Sequence, residues 1–235
     1  MFRLSRRNAR PAGAEQVWAV ASALLDYPTQ QLLDSLDELA ALVPASPGLQ
    51  GLVDHLRSHD LATLQQDYVA TFDHTRKCAL YLTYFAYGDT RRRGVALVQF
   101  KQAYRKGGVE FDEGSAELPD HLCVVLQFGA TVDPGGAWRL LNGHRAGLEM
   151  LRLALASWRN DDGTVGSPWL AAVAAVCETL PPLQGDEADA VRRLVEQGPP
   201  AEVVGLEPYV IDPLMNEAQH RLAAPRREPE FLGMP

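Results

Sequence analysis

Apolar residues return at steps of three and four along most of the chain, the spacing that lays a single stripe on a helix of 3.6 residues per turn. Val17, Val20, Leu24 and Tyr27 open the series, and Pro28 predicts its end. Thr29 is placed to cap a second helix whose face is Leu32, Leu36, Leu39 and Val43, stopped by Pro44. Ser46-Pro47 starts a third through Leu49, Leu52, Val53 and Leu56. A fourth runs from Leu61 to Phe72 with Leu64 and Tyr68 on its face. The run CALYLTYFAY, Cys78 to Tyr87, has the aromatic and threonine content of a strand, but its apolar residues occupy both parities. It is predicted as a buried helix ended by Gly88.

The next helix begins near Asp89-Thr90 and follows Leu97, Phe100 and Tyr104 to the Gly107-Gly108 break. A polar loop, VEFDEGSAE, leads into LPDHLCVVLQFGA, where Pro119 suits the first turn of a helix. The longest periodic segment follows Pro134-Gly135-Gly136. Leu141, His144, Leu148, Leu151, Leu155 and Trp158 predict one long core-facing helix. Ser167-Pro168 opens WLAAVAAVCETL, closed by Pro181-Pro182, and a final helix is expected from Asp186 to Gln197. No repeat and no convincing strand is found. The expectation is an all-α, single-domain helical bundle of about eight to ten helices, spanning residues 14–198. A basic, flexible segment (1–13) precedes it, and an irregular or disordered tail (199–235) follows.

Composition narrows the function more than the fold. With 46% hydrophobic and 22% charged residues among 235, the chain suits a folded domain and excludes wholesale disorder. Thirty acidic against 22 basic residues give a net charge of −8, which repels phosphate backbones and argues against a nucleic-acid partner. Cys78, Cys123 and Cys177 lie far apart, in no metal or disulfide spacing, and read as reduced, buried thiols. No run approaches the ~20 apolar residues of a membrane span, so no membrane insertion is expected. Arg6-Arg7 matches a twin-arginine signal for two residues only and lacks the apolar run that should follow. A cytoplasmic location is expected.

Several residue groups could carry chemistry. His55 and His59 share a helix face at a spacing that suits zinc, and His59-Asp60 is the doublet of helical metal-dependent phosphohydrolases. No third ligand is apparent, and the pair reads first as surface histidines near a helix C-terminus, where partial positive charge is favourable. His144 sits in the leucine stripe and reads as a hydrogen-bonded core histidine. Nucleotide-binding glycine motifs, a nucleophile elbow and a paired-carboxylate site are all missing. Two places break local rules. Arg91, Arg92 and Arg93 crowd the first turn of a predicted helix, where the dipole disfavours cations. Either they are merely solvated, or at least one pairs with an acid brought in by the fold. In Glu117-Leu118-Pro119-Asp120-His121 the proline and aspartate suit a helix start, but the histidine does not. Beside Tyr81, Tyr84, Phe85 and Tyr87, an Asp-His pair could edge a groove for a short amphipathic helix.

At these residues the chain resembles a known family. The stretch Tyr68 to Phe128 is similar to the nitrate reductase molybdenum-cofactor assembly chaperones of the NarJ type. The shared features are FDxTR at Phe72, Asp73, Thr75 and Arg76, the Gly-acid turn before R-x-R-G, and ELPDHL at Glu117 to Leu122. The resemblance covers roughly residues 14 to 180, although Gly88-Asp89-Thr90 stands where the family often has Gly-Glu-Ser. It implies an all-helical chaperone, not an enzyme, that binds the catalytic (alpha) subunit of respiratory nitrate reductase, including its N-terminal peptide. The client, not the chaperone, would receive the molybdenum cofactor and an iron–sulfur cluster, so no permanently bound cofactor is expected. The family's acid–proline–Asp–His element, associated with client-peptide binding, maps onto Glu117, Pro119, Asp120 and His121. Phe72, Tyr81, Phe85 and Tyr87 would meet the apolar face of the peptide, with Arg76, Asp89 and Arg93 among the polar contacts. The rival from another class is the metal-dependent hydrolase using His55, His59 and Asp60.

Overall fold

Trp18, on the first helix, has no exposed surface, and its indole N–H donates to the Thr179 hydroxyl at 2.9 Å, tying together two segments 161 residues apart. The computed structural model describes residues 10–193 apart from 43–45, 113, 116, 161–162, 184, 186–187 and 190. Among them are eleven α-helices: α1 (Ala14–Leu24), α2 (Gln30–Asp34), α3 (Leu36–Leu42), α4 (Pro47–Ser58), α5 (Leu61–Tyr68), α6 (Tyr84–Tyr87), α7 (Arg91–Lys106), α8 (Leu122–Thr131), α9 (Pro134–Gly143), α10 (Arg145–Ala156) and α11 (Leu170–Glu178). A π-helical turn, Val69–Asp73, extends α5, and a 3₁₀ turn covers Arg76–Cys78. No strand occurs among the described residues; two isolated antiparallel bridges do.

The core lies where α1, α8, α9 and α11 meet, with α4 and α10 packed against α11. Close approach is set by Gly129 on α8. A methyl group there would stand 2.5 Å from Cβ of Ala137 on α9 and 2.7 Å from the Trp18 ring. Such overpacking costs about 1–3 kcal/mol. Leu148, Leu151 and Leu155 place the stripe of α10 in the same core, beside Phe100 and Tyr104 of α7.

Four sequence expectations change. The helix predicted from Thr29 divides at Ser35 into α2 and α3; Thr29 caps α2 by accepting from the Leu32 N–H, while Val43 and Pro44 lie outside the described residues. The long helix predicted after Pro134 breaks at His144 (φ −116°, ψ 22°), because Gly143 weakens it there and the imidazole turns to hydrogen-bond the Leu82 backbone. Trp158 falls beyond its end. The predicted helix over Cys78 to Tyr87 survives only as the turn α6. Residues 79–81 are extended, with Leu80 and Leu82 buried and Tyr81 half-buried, because the backbone there pairs with a distant segment. Gly88, at φ 56° and ψ −150°, ends the run in a conformation that glycine alone adopts readily. Finally, Pro119 lies in a turn ahead of α8, which starts only at Leu122. Of the expected last helix, 188–189 and 191–193 are helical; its remainder, the tail 199–235 and residues 1–9 lie outside the described residues.

Candidate functional site

The extended run before α6 meets the turn before α8. The Leu82 N–H donates to the Asp120 carbonyl at 3.0 Å, and the Leu122 N–H to the Leu80 carbonyl at 2.7 Å, with Tyr81 opposite His121. Side chains fasten the same junction. Asp120 is wholly buried, and its Oδ2 accepts from the Thr83 N–H at 3.1 Å and the Thr83 hydroxyl at 2.5 Å. That hydroxyl accepts in turn from Arg93 Nε at 3.1 Å. The Arg93 guanidinium stands 3.7 Å from Asp120 Oδ2 and 3.6 Å from Asp89 Oδ1. A buried carboxylate needs such partners, since desolvation otherwise favours its neutral form. Arg93 is thus an arginine of the 91–93 cluster that pairs with an acid delivered by the fold. Two polar atoms of this pair, Asp120 Oδ1 and Arg93 Nη2, remain buried without a hydrogen-bond partner.

Around this staple an aromatic and acidic edge is assembled. Arg93 lies 5.2 Å over the Tyr81 ring, a cation–π distance, and the ring meets His121 edge-on at 5.3 Å. The Tyr81 hydroxyl donates to Glu117 Oε2 at 3.1 Å, and His121 Nε2 lies 3.7 Å from the same oxygen. Burial, reinforced by the Glu117 charge, pushes the Tyr81 phenol up to about 12. Burial also holds the His121 imidazole below its ordinary value, against the pull of Glu117, Asp26 and Asp120 in the other direction. Tyr104 on α7 donates to the Pro119 carbonyl at 2.5 Å, fixing the turn from behind. Glu117 and Leu118 remain exposed at the rim.

The structure therefore brings together Tyr81, Asp89, Arg93, Glu117, Pro119, Asp120 and His121. Phe85 is buried on α6, close against Gly147 of α10, and Tyr87 at the end of α6 is half-buried. Phe72 points elsewhere, into a cluster with Tyr68 (4.7 Å) and Trp169 (5.6 Å), and Arg76 is exposed on the 3₁₀ turn. Sequence reasoning missed Thr83 and the Tyr104 hydroxyl. Thr83 carries no local signal, because its partners lie 10 and 37 residues away.

The alternative cluster is arranged differently. Asp60 is exposed and caps α5, accepting from the Thr63 N–H at 3.0 Å and the Thr63 hydroxyl at 2.8 Å. The His55 and His59 rings lie 4.3 Å apart. Among the described residues, no group of three or more His, Cys, Asp or Glu side chains could hold a metal ion, and no helix is long and apolar enough to cross a membrane.

The helical arrangement is that of a known fold. It matches the crystal structure of an Archaeoglobus fulgidus protein described as a redox enzyme maturation protein, with a TM-score of 0.53 over 76% of this chain and 95% of that one, at 20% identity. The chain belongs to the nitrate reductase delta subunit family, whose model matches residues 22–160. It is 42% identical over 165 residues to the nitrate reductase-like protein NarX of Mycobacterium tuberculosis (strain H37Rv), covering 69% of this chain and 24% of that protein. It is 32% identical over 117 residues to the nitrate reductase molybdenum cofactor assembly chaperone NarJ of Escherichia coli (strain K12), covering 46% of this chain and 49% of the chaperone. The chain thus spans about a quarter and about half of the lengths of these relatives. Membership groups it with proteins that include a nitrate reductase molybdenum cofactor assembly chaperone of the NarJ type.

Proposed function

We propose that the protein is a cytoplasmic chaperone for the catalytic (alpha) subunit of a respiratory nitrate reductase. It binds the apo-subunit, including its N-terminal peptide, while the molybdenum cofactor and iron–sulfur cluster are inserted, and it delays docking at the membrane. The observation that carries this reading is the family match over residues 22–160, which contains the whole Tyr81–Glu117–Asp120–His121 junction. The physical mechanism is differential binding: a chaperone that prefers the open apo form raises its population by its preference for that form. The chaperone itself holds no cofactor permanently.

Burial supports distinct roles within the junction. Asp120 has no exposed surface, so it acts as a positioning residue, holding the turn through Thr83 and Arg93. The surface offered to a client helix is Tyr81, Glu117 and Leu118, flanked by Tyr87 and Asp89. A synthetic client N-terminal peptide titrated by calorimetry tests this. Glu117→Lys with Leu118→Asp, both at exposed positions, is expected to weaken binding about tenfold or more, with helical circular dichroism unchanged. Absence of peptide binding by the wild type, or equal affinity for the variant, overturns the proposal.

A further inference from the structure

Away from this junction in sequence, α4, α5 with its π-helical turn, and the loop joining α10 to α11 enclose a cavity of about 670 Å³, within the range of small-molecule sites. Three polar atoms of its lining residues are buried without a hydrogen-bond partner: His55 Nε2, Ser167 Oγ and Trp169 Nε1. Ser167 and Trp169 are only 5% and 1% exposed. A buried polar group left unpaired is unfavourable, and all three can be satisfied by an acceptor, the indole N–H by nothing else. Arg159 lies exposed at the same wall and adds a positive charge, opposed by Asp67. The indole of Trp158, which is partly exposed, supplies flat apolar surface. Trp169 is held in place edge-on against Tyr68 at 5.8 Å and Phe72 at 5.6 Å, so its orientation is set before any ligand arrives. A π-helical turn, Val69–Asp73, contributes Ala70 and Thr71 to the wall, and such turns recur at functional sites.

We propose that this cavity binds a small aromatic anion, a planar ring bearing a carboxylate, phosphate or sulfonate. The ring lies against Trp158, and the acceptor-rich head is turned toward Ser167, His55 and Arg159. Modest side-chain rotation of Ser167 and His55 completes the pairing. This site shares no lining residue with the client junction and stands independently of the chaperone reading.

Gly51 makes the test clean. It lines the cavity on α4, and a Cβ added there meets nothing within 4 Å, so a large side chain can occupy the space without displacing the core. The full chain is titrated with anilinonaphthalene sulfonate, an aromatic anion, by fluorescence. The expected result is saturable one-to-one binding, weakened about tenfold or more by Gly51→Phe, with helicity and thermal midpoint retained. Ser167→Ala is expected to weaken it severalfold and serves if the larger substitution fails to fold. Neutral N-phenylnaphthylamine is expected to bind about tenfold less tightly. Non-saturable fluorescence, equal affinity for the neutral ring, or binding indifferent to both substitutions overturns the proposal. Competition with anthranilate and with adenosine monophosphate then separates a ring carboxylate from a ring phosphate. Displacement by neither, or equally by inorganic phosphate, also overturns it.

Discussion

His59-Asp60 and Asp120-His121 are both adjacent acid–imidazole pairs, and the fold places them in opposite surroundings. Asp60 stands in water at a helix start and spends both oxygens on Thr63. Asp120 is wholly buried and reaches Thr83 and Arg93 on two other segments. The same two side chains are therefore a local cap in one place and a tertiary staple in the other. The histidines invert in parallel. His59 is exposed at the mouth of a cavity, whereas His121 is 6% exposed and faces Tyr81 and Glu117. What distinguishes the pairs is the distance along the chain to their partners, 3 residues for Asp60 and 37 for Asp120.

Substitution separates the two environments. Asp120→Ala leaves Arg93 partly buried beside an empty site, and loss of one partner from a buried ion pair costs about 3–5 kcal/mol. Thermal unfolding should show the largest drop of this series, and a midpoint within a degree or so of the wild type would break the staple reading. Thr83→Val keeps the shape but removes the hydroxyl between Arg93 and Asp120, for an expected loss of about 1–3 kcal/mol by denaturant unfolding.

Acid should follow next in size. Burial lowers the His121 and His144 values relative to the unfolded chain, whose imidazoles titrate near about 6.5. The unfolded state then binds protons that the folded state refuses. Stability is full above that value and falls as pH drops below it. Thermal midpoints measured between about pH 7.5 and 5.5 should decline, and His121→Asn should flatten the curve. A midpoint that rises on acidification would contradict the burial of these rings. Asp60→Ala completes the comparison with the smallest effect: a drop in midpoint below that of Thr83→Val, and peptide affinity unchanged. A drop equal to that of Asp120→Ala would erase the distinction.

Helix positions were legible wherever the stabilising contacts were local. Pro47 opens α4, Leu49, Leu52, Val53 and Leu56 bury one face of it, and Gly107 follows the end of α7, all readable from neighbours within a turn or two. The errors occurred where remote groups decided the backbone. Residues 79–81 became extended because Asp120 and Leu122 supply hydrogen-bond partners on either side of Tyr81. The break at His144 left the apolar stripe uninterrupted on both sides, so periodicity could not reveal it. At the candidate site, the motif residues Glu117 to His121 could be named from sequence, but not which of them is surface. Thr83 and Tyr104, which hold the turn, had no spacing that marks them.

By itself the sequence determined the all-helical class, the position of most helices, the absence of nucleotide-binding glycine motifs and the family resemblance. These follow from short-range periodicity, punctuation by proline and glycine, and residue strings read along one strand of chain. Only the tertiary structure decided that Asp120 is buried and Glu117 exposed, that Arg93 pairs with Asp120, and that His55, Ser167 and Trp169 line one cavity. Burial and pairing across tens of residues depend on how helices cross, and a one-dimensional pattern carries that geometry only through the packing it produces.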